Sequence, residues 1–160
     1  MSGDSASVSV LVKVPPAQAF DVFTREIDLW WKQGPRYRIG AKQPGQLSFE
    51  PGVGGRLLET YDLPAGPRSF EHGRITAWEP PTLLEFEWRG INFRAHETTF
   101  VSVRFEPSRS GTLVTVRHTG WSALPDDHPV RHGLTGAEFS RMIGLWWGDL
   151  MSSLREHAAR

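Results

Sequence analysis

Cysteine is absent from this 160-residue chain, which removes disulfides, thiol nucleophiles and thiolate metal sites together. The fold must hold by packing alone. A surplus of charge is missing too: 18 basic residues balance 18 acidic ones, and no basic block gathers them. Nonspecific nucleic-acid binding needs a cationic surface to neutralise phosphates, so nucleic acid is not an expected partner. No apolar run approaches bilayer-spanning length, and the N-terminus "MSGDSASVSVLV" lacks a basic segment leading into an apolar stretch. A cytoplasmic protein with no membrane span is the expectation. There is no Gly-x-Ser-x-Gly elbow. There is no phosphate loop either, because "PGVGGRLLE" departs from Gly-x-Gly-x-x-Gly at Leu57 and no helix follows.

What the chain does have is aromatic area, in seven tryptophans and nine phenylalanines. Such side chains fill cores and also line small-molecule pockets. The length suits a single domain over residues 1–160, able to bury roughly two-thirds of its unfolded surface.

Alternation and punctuation then order the elements. "VSVLVKV" within residues 7–14 reads as a strand stopped by Pro15 and Pro16. Proline at a first helical position and the shared face of Ala19, Phe20 and Phe23 predict a short helix over 16–24, with another turn or two in "REIDLWW". "QLSFEPGVGGRLLETY" reads as two strands joined through glycines, whose positive φ angles a tight join requires. Residues 69–78 predict another strand. Its inward set is either Gly73, Ile75 and Ala77 or Phe70, His72, Arg74 and Trp78; the small apolar set is preferred. "LLEFEW" puts Leu84, Phe86 and Trp88 on one face, leaving Glu85 and Glu87 as a solvated surface. "TTFVSVRFEP" and "TLVTVRHTGW" supply two more strands around the turn "SRSG".

The last segment is the clearest helix. Thr135 and Glu138 stand at capping-box spacing, and Phe139, Met142, Ile143, Trp146, Leu150 and Leu154 form an apolar stripe. Of the adjacent Trp146 and Trp147, Trp146 is the expected core residue. Gly144 and Gly148 each cost about 1 kcal/mol relative to alanine, so close backbone approach or a bend is expected there. The whole is an α+β pattern: a strand, two short helices, about six antiparallel strands, and a long C-terminal helix on which the sheet curls.

"GGRLLE", "GRITAWEPPTLLEFEW", "VSVRFEP", "GTLVTVRHTGW" and "FSRMIGLWWGDLMSSLREH", in that order over about residues 7–157, resemble the activator of 90-kDa heat-shock-protein ATPase homologue-like (AHSA-like) family. That family lies in the START-like, or SRPBCC, helix-grip superfamily. The resemblance implies a seven-stranded antiparallel sheet gripping the C-terminal helix around a mainly hydrophobic cavity. It also implies ligands such as lipids, polyketides or aromatic metabolites and no shared catalytic motif; no cofactor is expected. The eukaryotic activators add a separate N-terminal chaperone-binding domain without a counterpart in these 160 residues, so chaperone ATPase activation is not the leading expectation.

The leading expectation is a noncatalytic module that binds a small hydrophobic molecule. Its wall would comprise Phe49, Phe86, Trp88, Val103, His118, Phe139, Ile143 and Trp146, with Trp30 and Trp121 near the mouth. One alternative is a cyclase or aromatase with His118 as acid or base near neutral pH; the bland alternative is a histidine satisfied structurally. Another alternative is a stress-related accessory module with a protein partner. "DDHPVRH", residues 126–132, invites a metal reading through His128 and His132. Pro129 and the want of a second ligand cluster argue against it, and no metal is expected.

Overall fold

The computed structural model describes residues 4–39 and 45–160. β1 (Ala6–Val12) leads into α1 (Pro16–Arg25) and α2 (Ile27–Trp30). Then come β2 (Gln46–Phe49), β3 (Arg56–Leu63), β4 (Gly66–Glu79), β5 (Leu83–Trp88), β6 (Thr99–Ser108) and β7 (Gly111–Thr119). Two 3₁₀ turns, Trp121–Ala123 and Pro129–Arg131, precede α3 (Gly136–Ala158). The seven strands form one antiparallel sheet in the order β1-β7-β6-β5-β4-β3-β2. The sheet curls around α3, as the helix-grip expectation requires.

Local physics accounts for most of these elements. Pro16 starts α1, whose Ala19, Phe20 and Phe23 are all buried. Gly52 and Gly54 carry φ of 91° and 85° in the join between β2 and β3, a region costly for any residue with a Cβ. On β5, Leu84, Phe86 and Trp88 are buried facing the interior while Glu85 and Glu87 are half-exposed.

β4 overturns the simple alternation. Its pairing slips against β3 between Leu57 and Leu58, skipping His72, and against β5 between Ile75 and Ala77, skipping Thr76. Each bulge inserts one residue and reverses the parity beyond it. His72, Gly73 and Ile75 are consequently all buried, and Trp78 meets Phe20 edge-on at 5.0 Å. Neither set of alternate residues is the inward one. Gly73 is required at the first bulge, because a Cβ there would lie 1.8 Å from the carbonyl oxygen of Glu87.

α3 corrects three expectations. Thr135 is its N-cap residue, yet its side chain makes no capping hydrogen bond. Trp147, not Trp146, is the core residue: the buried ladder runs Phe139, Ile143, Trp147, Leu150, Met151 and Leu154. Leu150 belongs equally to a ladder through Met142 and Trp146, which is why spacing alone misassigned the phase. Finally, a Cβ at Gly144 or Gly148 would meet nothing within 4 Å, so neither marks a close backbone approach.

Candidate functional site

The interior is filled at one end and open at the other. Under α1 and α2, Phe20, Phe23, Trp30 and Phe105 pack ring against ring, with Phe23 4.9 Å from Trp30 and 5.8 Å from Phe105. Trp31 closes this region off, packing against Trp30, Trp88, Trp146 and Trp147 at centroid separations of 5.5 to 5.7 Å. Beyond it a chamber of about 520 Å³ opens between the sheet and the first half of α3. β4 contributes His72, β5 Trp88 and β7 His118, and Trp121 follows from the turn beyond; Met142, Ile143 and Trp146 come from α3. The lips are residues 35–39, residues 90–93, Val130 and His132.

Five of the expected wall and mouth residues therefore line the chamber: Trp88, His118, Trp121, Ile143 and Trp146. The other five do not. Trp30 is no mouth residue; it is buried in the filled end, where its indole N–H lies 3.1 Å from the carbonyl of Val22 and 3.3 Å from that of Phe23. Phe49 packs edge-on against Phe86 at 5.2 Å, away from the opening. Phe86, Val103 and Phe139 are core, and the Arg131 guanidinium sits 4.7 Å over the Phe139 ring. Phe86 and Val103 take the expected face but lie deeper: alternation reports which face a strand side chain takes, not how far along the interior it lies.

His118 is structural in its hydrogen bonding. The Trp147 indole can only donate, so its 3.0 Å bond makes His118 Nδ1 the acceptor. The ring proton then sits on Nε2 and is donated to Thr99 Oγ1 at 2.7 Å, while the threonine hydroxyl donates to the carbonyl of Trp88 at 2.8 Å. Burial holds the imidazole pKa down to about 3 from its ordinary 6.5. With both nitrogens engaged and the ring neutral, His118 offers the chamber only a ring surface. The acid–base role of the cyclase reading thus finds no free nitrogen.

His72 belongs to the set that strand alternation alone disfavours as inward. This side chain is 2% exposed, stacks on Trp88 at 4.5 Å with the planes 5° apart, and bonds at Nε2 to Glu59 Oε1 at 3.1 Å. Its Nδ1 faces the carbonyl of Arg89 at 3.2 Å, and Glu59 Oε2 accepts from the backbone N–H of Ile39 at 2.8 Å. Both ring nitrogens of His72 are therefore engaged, one by a carboxylate side chain and one by the backbone. The pair with Glu59 ties the lip at residue 39 to the base of the lip at residues 90–93.

Buried arginines fix the lips. Arg38 bonds to Asp28 and to the carbonyls of Trp31 and Gly45, and Arg131 bonds to the carbonyls of Trp121, Leu124 and Pro125. Trp146 Nε1 donates to the carbonyl of Arg36 at 2.8 Å, and Tyr37 stacks on the Trp146 ring at 5.9 Å. His128, one of the two histidines behind the metal reading, uses Nε2 on Glu97 at 2.9 Å and Nδ1 on the Val130 N–H at 3.1 Å. Among the described residues no group of three His, Asp or Glu side chains is placed to hold a metal ion. No described helix is long and apolar enough to cross a membrane.

The family model for "Activator of Hsp90 ATPase homolog 1-like protein" matches residues 13–140. Curated proteins give no match. Solved structures share the fold at low identity. A Mesorhizobium loti protein is 16% identical with a TM-score of 0.63, covering 95% of this chain and 94% of its own. An Hsp90 activator from Plasmodium falciparum is 17% identical with a TM-score of 0.61, over 95% and 94%. A Bacillus halodurans protein is 21% identical with a TM-score of 0.57, over 98% of both chains.

Proposed function

The chain belongs to the Activator of Hsp90 ATPase homolog 1-like family, and we propose that it binds a small hydrophobic molecule in the space between its sheet and α3. The observation that carries this reading is the chamber of about 520 Å³ walled by Trp88, Trp121, Ile143 and Trp146. That volume lies within the range of small-molecule sites, and an apolar wall with a few polar groups is their usual lining. Binding would be driven by apolar area at roughly 25 cal/mol per Å², less the cost of immobilising the ligand. Turnover is not part of the proposal, since the histidine chosen for it has no free nitrogen.

Native mass spectrometry beside a denatured control, followed by a thermal-shift screen of lipids, polyketides and aromatic metabolites, tests the reading. A co-purifying mass or a saturable rise in Tm supports it. An empty protein that no compound stabilises refutes it.

A second reading, association with a chaperone, is supported by the family and by the fold shared with the Plasmodium falciparum activator. It predicts that immobilised protein retains Hsp90 and that added protein raises Hsp90 ATPase turnover. Failure of both removes it.

A further inference from the structure

We propose that the chamber selects amphipathic organic anions, molecules with an apolar body and a carboxylate, phenolate or sulfonate head held at the mouth by Arg36. This rests on the binding reading above and adds the charge and the polarity of the ligand.

The first observation is the charge of the lining. No described residue lining the chamber is a carboxylate, whereas Arg36, Arg38, His72 and His132 all line it. Two of the four, Arg38 and His72, are already engaged, and His132 stands on another lip. Arg38 is paired with Asp28, His72 meets Glu59, and His118 is held neutral by burial. Arg36 is different, for it forms no ion pair among the described residues and rests beside the Tyr37 ring at 5.6 Å. Its backbone is held in place by the Trp146 bond to its carbonyl. Asp149, on the outer side of this lip, accepts from the Tyr37 hydroxyl at 3.1 Å and does not line the chamber.

The second observation is the polarity of what remains free. Trp121 is 2% exposed and lines the chamber, yet its indole N–H has no hydrogen-bond partner among the described residues. A buried donor without a partner costs about 1–3 kcal/mol. His118 Nδ1, by contrast, is occupied by Trp147. The Arg36 guanidinium and the Trp121 N–H are thus donors without acceptors among the described residues at the mouth and wall, beside the side chains of Asn92 and His132 on the lips. Oxygen acceptors match these donors, and an ammonium head would meet cationic repulsion with no carboxylate on the lining to offset it.

A matched pair of fluorescent probes tests the inference: anilinonaphthalenesulfonate and its uncharged parent phenylnaphthylamine. They share the apolar body and differ in the sulfonate. Both are titrated into the full chain, into Arg36→Gln and into Met142→Trp, which fills the half-buried wall position without opening the core. Wild type is expected to bind the anion about fivefold more tightly than the neutral probe, the scale of a partly exposed charge-assisted contact. Arg36→Gln should remove that preference while leaving the neutral probe unchanged, and Met142→Trp should weaken both. Equal affinity for the two probes, or an Arg36→Gln loss shared equally by both, overturns the anion selection while Met142→Trp still shows binding in the chamber. If neither probe binds, or Met142→Trp leaves both unaffected, the binding reading itself falls and the charge selection with it.

Discussion

The two ends of the interior are built from the same residue types and come to opposite results. Under α1, Phe23 has no exposed surface and is enclosed by Trp30 and Phe105; at the other end Trp88, Trp121 and Trp146 stand around open volume. The difference lies in what covers the rings. α1 and α2 lie over the first end and press their own aromatics into it, whereas the second lies beside the first half of α3 and is rimmed by loops whose buried arginines bond to backbone carbonyls and, for Arg38, to Asp28. Arginines engaged in this way brace a rim without filling the space inside it. Aromatic content alone therefore decides neither core nor cavity.

The comparison is broken most forcefully by truncation at each end. Phe23→Ala should destabilise the fold by about 4 kcal/mol, because a closed site leaves a full cavity; Ile143→Ala should cost about 2 kcal/mol or less, because its wall already adjoins open space. Urea unfolding measures both. Equal losses would mean that the open end is as tightly packed as the filled one.

A pH titration of stability sharpens the boundary between the ends, where His118 sits. Its folded pKa is depressed to about 3 against an ordinary 6.5, so below pH 6.5 the unfolded chain takes up a proton that the folded chain refuses. Stability should be complete above pH 6.5 and fall by about 2–3 kcal/mol on going down to pH 4.5. Glu97, whose carboxyl is held below its ordinary 4.5 chiefly by the Arg94 backbone N–H, contributes its own loss only at lower pH. In His118→Asn the slope between pH 6.5 and 4.5 should shrink markedly. An unchanged slope would show that the titrating group lies elsewhere.

The smallest effect belongs to the helix that walls both ends. Gly144→Ala and Gly148→Ala face no neighbour within 4 Å and should each stabilise the protein by up to about 1 kcal/mol, read as a rise in Tm. A loss instead would reveal a packing demand on the outer side of α3.

These contrasts also mark what the amino-acid sequence discloses. The succession of strands along the chain, the inward triplet Leu84, Phe86 and Trp88, and the inward side of His118 follow from alternation, which depends only on neighbours along the chain. His72 escaped because two bulges in β4 reset the parity around it, and only the steric conflict at Gly73 hints at the first. Trp147 escaped because two helical ladders share Leu150. Trp30 was placed at a mouth because rim and core tryptophans look alike until their indole N–H partners are known; Val22 and Phe23 supply those partners eight and seven residues earlier. The lip residues Arg36 and Tyr37 carry no periodic signal at all. Their role comes from the bonds to Trp146 and Asp149, more than a hundred residues away.

The tryptophan cluster around Trp31 has an optical consequence. Indole rings 5.5 to 5.7 Å apart are close enough to exchange excitation, so light absorbed at Trp30, Trp146 or Trp147 need not be emitted where it was taken up. Trp88 and Trp146 belong to both the cluster and the chamber wall. A guest of the kind proposed that quenched either ring would drain emission from the sealed tryptophans as well, so the cluster would act as an antenna for the chamber.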